Sequence, residues 1–159
     1  MRPGHVQRYI DRFEELGPDS LGSLVACFSD AARFVDPFND VRGTEAIRQV
    51  FEHMFATCDG PRFEVDECVG EDATYYLQWR FSFGRKGSRR TLHGVSRVQF
   101  GPDGLVLEHS DYWDPASQLY ERIPILGGLL RALRRRLSAP QTTQTTTGTP
   151  NGVPPATQR

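Results

Sequence analysis

Apolar positions along this chain recur first at helical spacing and then, past its middle, at every second residue. Val6, Tyr9, Ile10, Phe13 and Leu16 fall on one helical stripe, which Gly17-Pro18 ends. Leu21, Leu24, Val25 and Phe28 predict a second helix, with Asp19 or Ser20 as its N-cap. Arg33-Phe34-Val35-Asp36 reads as a short extended piece, because the residue before Pro37 is pushed out of helical geometry. After Gly43-Thr44 a strong helix places Ile47, Val50, Phe51, Met54 and Phe55 on one stripe and closes at Asp59-Gly60.

From there the period is two. Phe63 and Val65 begin one strand. Tyr75, Leu77, Trp79, Phe81 and Phe83 alternate strictly with Tyr76, Gln78, Arg80 and Ser82, which predicts a long half-buried strand. After the turn Gly84–Ser88, the residues Leu92, Gly94, Ser96, Val98 and Phe100 share the next inner face. Gly101-Pro102-Asp103-Gly104 then predicts a hairpin into a last strand, where Leu105, Leu107, His109, Asp111 and Trp113 share a side. Helices followed by a meander of strands predict an α+β domain with helices laid on one face of a curved antiparallel sheet.

The last strand carries the candidate chemistry. Its inward face starts apolar and ends in an indole, yet holds an imidazole and a carboxylate in its middle. Burying those two groups is costly unless they are paired or hydrogen-bonded. They are either a structural pair at the end of a sheet or a polar spot inside a mostly apolar pocket. Asp36 has two readings of the same kind: a general base in that pocket, or a turn aspartate capping the Pro37–Asp40 loop. Tyr9 is either core or a cavity hydroxyl, and Asn39 either a pocket amide or a turn residue. Trp79 and Phe81 are core or cavity wall.

Composition narrows the function classes. Residues 1–114 hold 13 Lys and Arg against 19 Asp and Glu, an acidic balance that argues against nucleic acid as a partner. Residues 115–138 reverse the sign, with Arg122, Arg131, Arg134, Arg135 and Arg136 against Glu121 alone. That segment returns to helical spacing through Leu119, Tyr120, Ile123, Leu126, Leu129, Leu130, Leu133 and Leu137, broken by Pro124 and Gly127-Gly128. Its leucines either pack on the domain or cover a cavity mouth. Alternatively, Arg131, Arg134, Arg135 and Arg136 lie on an anionic membrane surface. The domain is expected to occupy residues 1–138, with 115–138 as its C-terminal helical segment. Residues 139–159, rich in Thr, Gln, Gly and Pro, are expected to be disordered.

Cys27, Cys58 and Cys68 show no ligand spacing, so free thiols, no metal and a cytoplasmic setting are expected. Met1–His5 run directly into the first amphipathic stripe, with no leader pattern between. No glycine-rich phosphate loop occurs, and no cofactor is expected.

This element order, with Val35-Asp36-Pro37-Phe38-Asn39-Asp40-Val41-Arg42-Gly43 and Glu108-His109-Ser110-Asp111-Tyr112-Trp113-Asp114, resembles the SnoaL-like branch of the nuclear transport factor 2-like superfamily. The resemblance covers about residues 5–137 and implies a cone: a bent sheet wrapped over helices, a cavity at its wide end, and a homodimer through the sheet. Within that superfamily, ketosteroid isomerase has well-described acid–base logic. Gln7-Arg8-Tyr9-Ile10 looks like the segment carrying its tyrosine donor, Asp36 falls where its general base falls, and Ser96 falls where its protonated carboxyl falls. Polyketide cyclases of the SnoaL type are similar in drawing acid–base side chains from the strand that here holds His109 and Asp111.

The expectation is therefore a protein binding a small apolar molecule, with Asp36, His109, Asp111 and Tyr9 as catalytic candidates. Trp79, Phe81, Ser96, Trp113 and Asn39 are the ligand-contact candidates. Its chemistry would be cofactor-free isomerisation, cyclisation or hydration. The alternatives are a non-catalytic binder or assembly module on the same cone, or a peripheral lipid-handling protein recruited by its C-terminal arginines.

Overall fold

The computed structural model describes residues 2–120. The first stripe becomes helix α1 (Gly4–Glu14), which buries Val6, Tyr9, Ile10 and Phe13. Helix α2 (Leu21–Val25) is a single short turn of five residues and ends before Phe28. Helix α3 (Thr44–Thr57) buries Ile47 and Phe51, with Val50, Met54 and Phe55 packed partly against the core.

The strands are β1 (Phe28–Val35), β2 (Asp40–Arg42), β3 (Arg62–Glu71), β4 (Thr74–Phe83), β5 (Arg90–Phe100) and β6 (Val106–Tyr112), followed by one turn of helix, α4 (Pro115–Gln118). They form one six-stranded sheet in the order β2-β1-β6-β5-β4-β3. The sheet is curled but unclosed, with α1 against β3 and α3 against β1, so the chain has the α+β cone expected of it. The sheet departs from the expected meander in one respect: β1 runs parallel to β6, with Val35 opposite Ser110. That pairing brings the end of β1 beside the middle of β6, and with it Asp36 beside Asp111.

Two strands carry an extra residue. In β3, Val65 pairs with Trp79 but Glu67 pairs with Gln78, leaving Asp66 as a bulge tied to the Arg80 guanidinium. In β6, Val106 pairs with Phe100 but Glu108 pairs with Gln99, so Leu107 is the extra residue. A bulge reverses which side chains face inward on its two sides. Leu105 and Leu107 were expected on the same face as His109, yet Leu107 is exposed and Val106 is fully buried. His109 and Asp111, beyond the bulge, keep the inward orientation.

The β5–β6 hairpin closes through Gly101 N–H to the Leu105 carbonyl, with Gly104 at φ 75, a conformation that favours glycine. At the other end of β6, the Asp114 carboxylate accepts from the Ala116 amide and caps α4. The Gln118 side chain then bonds both the N–H and the carbonyl of His93, anchoring the chain after β6 to β5. No helix among the described residues is long and apolar enough to cross a membrane. The C-terminal expectations, including the Arg131–Arg136 cluster and the 139–159 tail, lie outside the described residues.

Candidate active site

The inner faces of α1, α3 and the sheet enclose a cavity of about 360 Å³. Its walls are mostly aromatic, from Phe13 on α1, Phe51 on α3, Phe34 on β1 and Phe63, Trp79 and Phe81 on β3 and β4. Trp113, Asn39, Asp36 and Asp111 also line it, and Leu119 reaches it from just past α4. Phe38, which is itself exposed, meets the Trp113 ring edge-on at 5.7 Å.

Asp111 is the inner end of this cavity and the outer end of a buried hydrogen-bond chain. Trp79 Nε1–H donates to Ser96 Oγ at 2.8 Å, and the Ser96 hydroxyl donates in turn to Asp111 Oδ1 at 2.5 Å. The same oxygen lies 2.8 Å from His109 Nε2, and His109 Nδ1 lies 2.8 Å from the Tyr9 hydroxyl. One proton arrangement satisfies every group: Nε2 carries the imidazole hydrogen and donates to the carboxylate, while Nδ1 accepts from the phenol. A doubly protonated ring would leave the phenolic hydrogen with no acceptor among the described residues. Asp111 Oδ2 makes no hydrogen bond within the described residues, so the carboxylate is held by one oxygen and open at the other.

The sequence builds this chain by register. Ser96 pairs directly with Asp111 across β5 and β6, and Trp79 pairs with Gly94 across β4 and β5. The Trp79 indole lies over Gly94, where a Cβ would sit 2.3 Å from Cζ2. Only glycine leaves that space, so Gly94 lets the indole lie down and reach Ser96. His109 is 2% exposed and sandwiched between Phe34 and Phe13, whose rings are nearly parallel to it at 4.9 and 5.5 Å.

The structure sorts the candidate residues. Asp36, just past the end of β1, and Asp111 on the neighbouring strand β6 line the same cavity. The Asp36 carboxylate is largely used locally: Oδ1 accepts from the Phe38 and Asn39 amides at 2.7 and 2.8 Å, and the Asn39 side-chain amide reaches both oxygens. Asn39 therefore lines the cavity while its amide group braces Asp36. Trp79, Phe81 and Trp113 are cavity wall.

Two candidates lie elsewhere than expected, and Tyr9 takes the core one of its two readings. His109 is not on the cavity but behind Asp111, at a small void it shares with Ser96. Ser96 is buried at 2% exposure and contacts Asp111 instead of the cavity. Tyr9 is wholly buried, its ring edge-on to Phe13, Phe28 and Phe100, and among the described residues its hydroxyl bonds His109. Burial holds the Tyr9 phenol well above its ordinary value of 10.0, with the Asp111 charge and Cys27 pushing the same way. His53 on α3 is exposed and stands at the cavity rim, and Cys58 lines the wall. Neither carried a sequence signal, because each position follows from how α3 tilts over the sheet.

A cone of this topology with a polar cluster at its floor is the architecture of the nuclear transport factor 2-like proteins. The chain belongs to the SnoaL-like domain family, which matches residues 6–109. Among solved structures it is similar to a protein of ketosteroid isomerase-like fold from Catenulispora acidiphila, in complex with trimethylamine. The two share 14% identity over 75% of this chain and 92% of the other, with a TM-score of 0.64. It is also similar to an LEH-like epoxide hydrolase of M. tuberculosis, at 15% identity over 84% and 92% and a TM-score of 0.59. A third is TerC, co-crystallised with polyporic acid, at 14% identity over 71% and 91% and a TM-score of 0.62. At these identities the likeness is one of fold, and members of this fold are often isomerases, cyclases or epoxide hydrolases. No curated protein sequence matches the chain.

Proposed function

We propose that this protein binds a small, mainly apolar molecule in its cavity and transfers protons on it, with Asp111 as the general base. The observation that carries this reading is the asymmetry of one carboxylate. Oδ1 is fixed by Ser96 and His109, while Oδ2 has no partner among the described residues and its residue lines an aromatic cavity. A base held in one orientation at the floor of an apolar cavity is what proton abstraction needs.

Oδ2 would take a proton from an activated carbon and return it to another atom of the same molecule, giving isomerisation or cyclisation. With a water as the acid, the hydroxide adds to the substrate and the proton is delivered to the oxygen that leaves or opens, giving hydration. His109, Ser96, Trp79 and Tyr9 act through Asp111 as positioning residues. That a structural relative is an epoxide hydrolase supports the hydration variant.

One observation favours a second reading, a binder without turnover. Asp36, the other cavity carboxylate among the described residues, is largely occupied by the Phe38 and Asn39 amides, so it is less free to act as a second acid–base partner for Asp111.

The test is a panel of small cyclic ketones, enones and epoxides incubated in deuterated water and followed by NMR. The wild type should exchange, isomerise or open at least one compound class. Asp111→Asn, which keeps an acceptor oxygen for Ser96 and His109, should lose about 10²–10⁴-fold in rate at an unchanged fold. Compounds that bind without reacting would leave the binder, and an Asp111→Asn protein as active as wild type would remove Asp111 as the base.

A further inference from the structure

Several surface carboxylates among the described residues are met by arginine: Asp40 by Arg33, Asp66 by Arg80 and Glu108 by Arg97. The cavity is lined by both Asp36 and Asp111, and no Lys or Arg is among its described lining residues. Arg85 and Arg90 line a separate shallow groove past Thr57 and Phe83, and Arg85 is engaged by Asp59 at 3.3 Å. His109, in the proton arrangement that satisfies its neighbours, is neutral, and His53 stands exposed at the rim.

Nine of the lining side chains are Phe or Trp. Aromatic faces present negative charge density and attract cations, most strongly when water is excluded. Two carboxylates in the same low-dielectric space add attraction for a positive charge and repel a negative one. The cavity size suits a single ring with a small substituent.

We infer that the ligand of this cavity is an organic cation, an apolar amine in protonated or quaternary form. Its charged nitrogen lies among the aromatic faces within reach of Asp111 and Asp36. The inference rests on the proposed reading only in taking the cavity as a ligand site; it adds the charge of the ligand. Ligands bearing carboxylate or phosphate are excluded by the same field.

The test compares three probes of one shape class: benzyltrimethylammonium, its neutral carbon isostere neopentylbenzene, and phenylacetate. The readouts are calorimetry and intrinsic fluorescence at physiological salt. Trp79 and Trp113 are the only two tryptophans of the chain and both line the cavity, so the emission reports on it directly. The cation should bind about tenfold or more tighter than the isostere, and phenylacetate should give no saturable change. Asp111→Asn should cut the cation's advantage to a few-fold or less while leaving affinity for the isostere unchanged.

Equal or tighter binding of the isostere, or saturable binding of phenylacetate, would overturn the inference and leave the ligand-cavity reading standing. If none of the three binds, both fall.

Discussion

Replacing Tyr9 by Phe removes one oxygen from the core and leaves everything around it in place. The ring is held edge-on by Phe13, Phe28 and Phe100 at 5.1, 5.6 and 5.8 Å, contacts a phenylalanine keeps. What is lost is the bond to His109 Nδ1, and that acceptor then stays buried beside Phe34 and Phe13 without a partner. An unsatisfied buried acceptor costs about 1–3 kcal/mol, which lowers the melting temperature of a domain this size by about 3–10 °C. The pH dependence follows from the raised phenol. Below pH 10 Tyr9 is protonated in both the folded and unfolded chain, so the wild-type advantage over Tyr9→Phe should be constant. Above pH 10 the unfolded phenol releases its proton while the buried one keeps it. The advantage should then shrink by up to about 1.4 kcal/mol per pH unit. Urea unfolding of both proteins from pH 6 to 11, followed by tryptophan emission, measures this. A variant as stable as wild type at pH 7, or an advantage undiminished at pH 11, would refute the buried bond.

Gly94→Ala should cost about 1–3 kcal/mol and shift the Trp79 emission, because the new methyl displaces the indole from Ser96. Asp36→Ala should cost about 1–2 kcal/mol through the freed Phe38 and Asn39 amides. Turnover of any compound the wild type converts should fall in Asp36→Ala by less than about tenfold, against the much larger loss in Asp111→Asn.

The long periodic segments were legible because burial on one face writes itself into the sequence: α1, α3 and β4 sit where their apolar stripes put them. What no stripe records is where one strand meets another. The Leu107 bulge arises from the β5–β6 register, and nothing in Leu105-Val106-Leu107 marks which residue is extra. β1 was recognised only from Arg33 onward, since Phe28-Ser29-Asp30-Ala31-Ala32 carries little strand preference and takes its form from β6 alongside. The inward pair His109 and Asp111 could be read from alternation. Their separation into a buried imidazole and a cavity carboxylate could not, because it depends on Phe13 and Phe34 closing over the ring from a helix and another strand. Ser96 and Trp79 looked like independent wall residues. Their place as links to Asp111 is a cross-strand property, visible only once Ser96↔Asp111 and Trp79↔Gly94 are known to be partners. Asp36 took the turn-capping reading and lines the cavity as well.

The central claim is that Asp111 presents one fixed, open oxygen to whatever occupies the cavity, and a crystal structure of the protein with bound benzyltrimethylammonium tests it most directly. The account predicts the ligand between Trp79, Phe81 and Trp113 with its nitrogen facing Asp111 Oδ2, while Oδ1 keeps its bonds to Ser96 and His109. A ligand seated outside the cavity, or an Asp111 side chain turned away so that its bonds to Ser96 and His109 are broken, would contradict it.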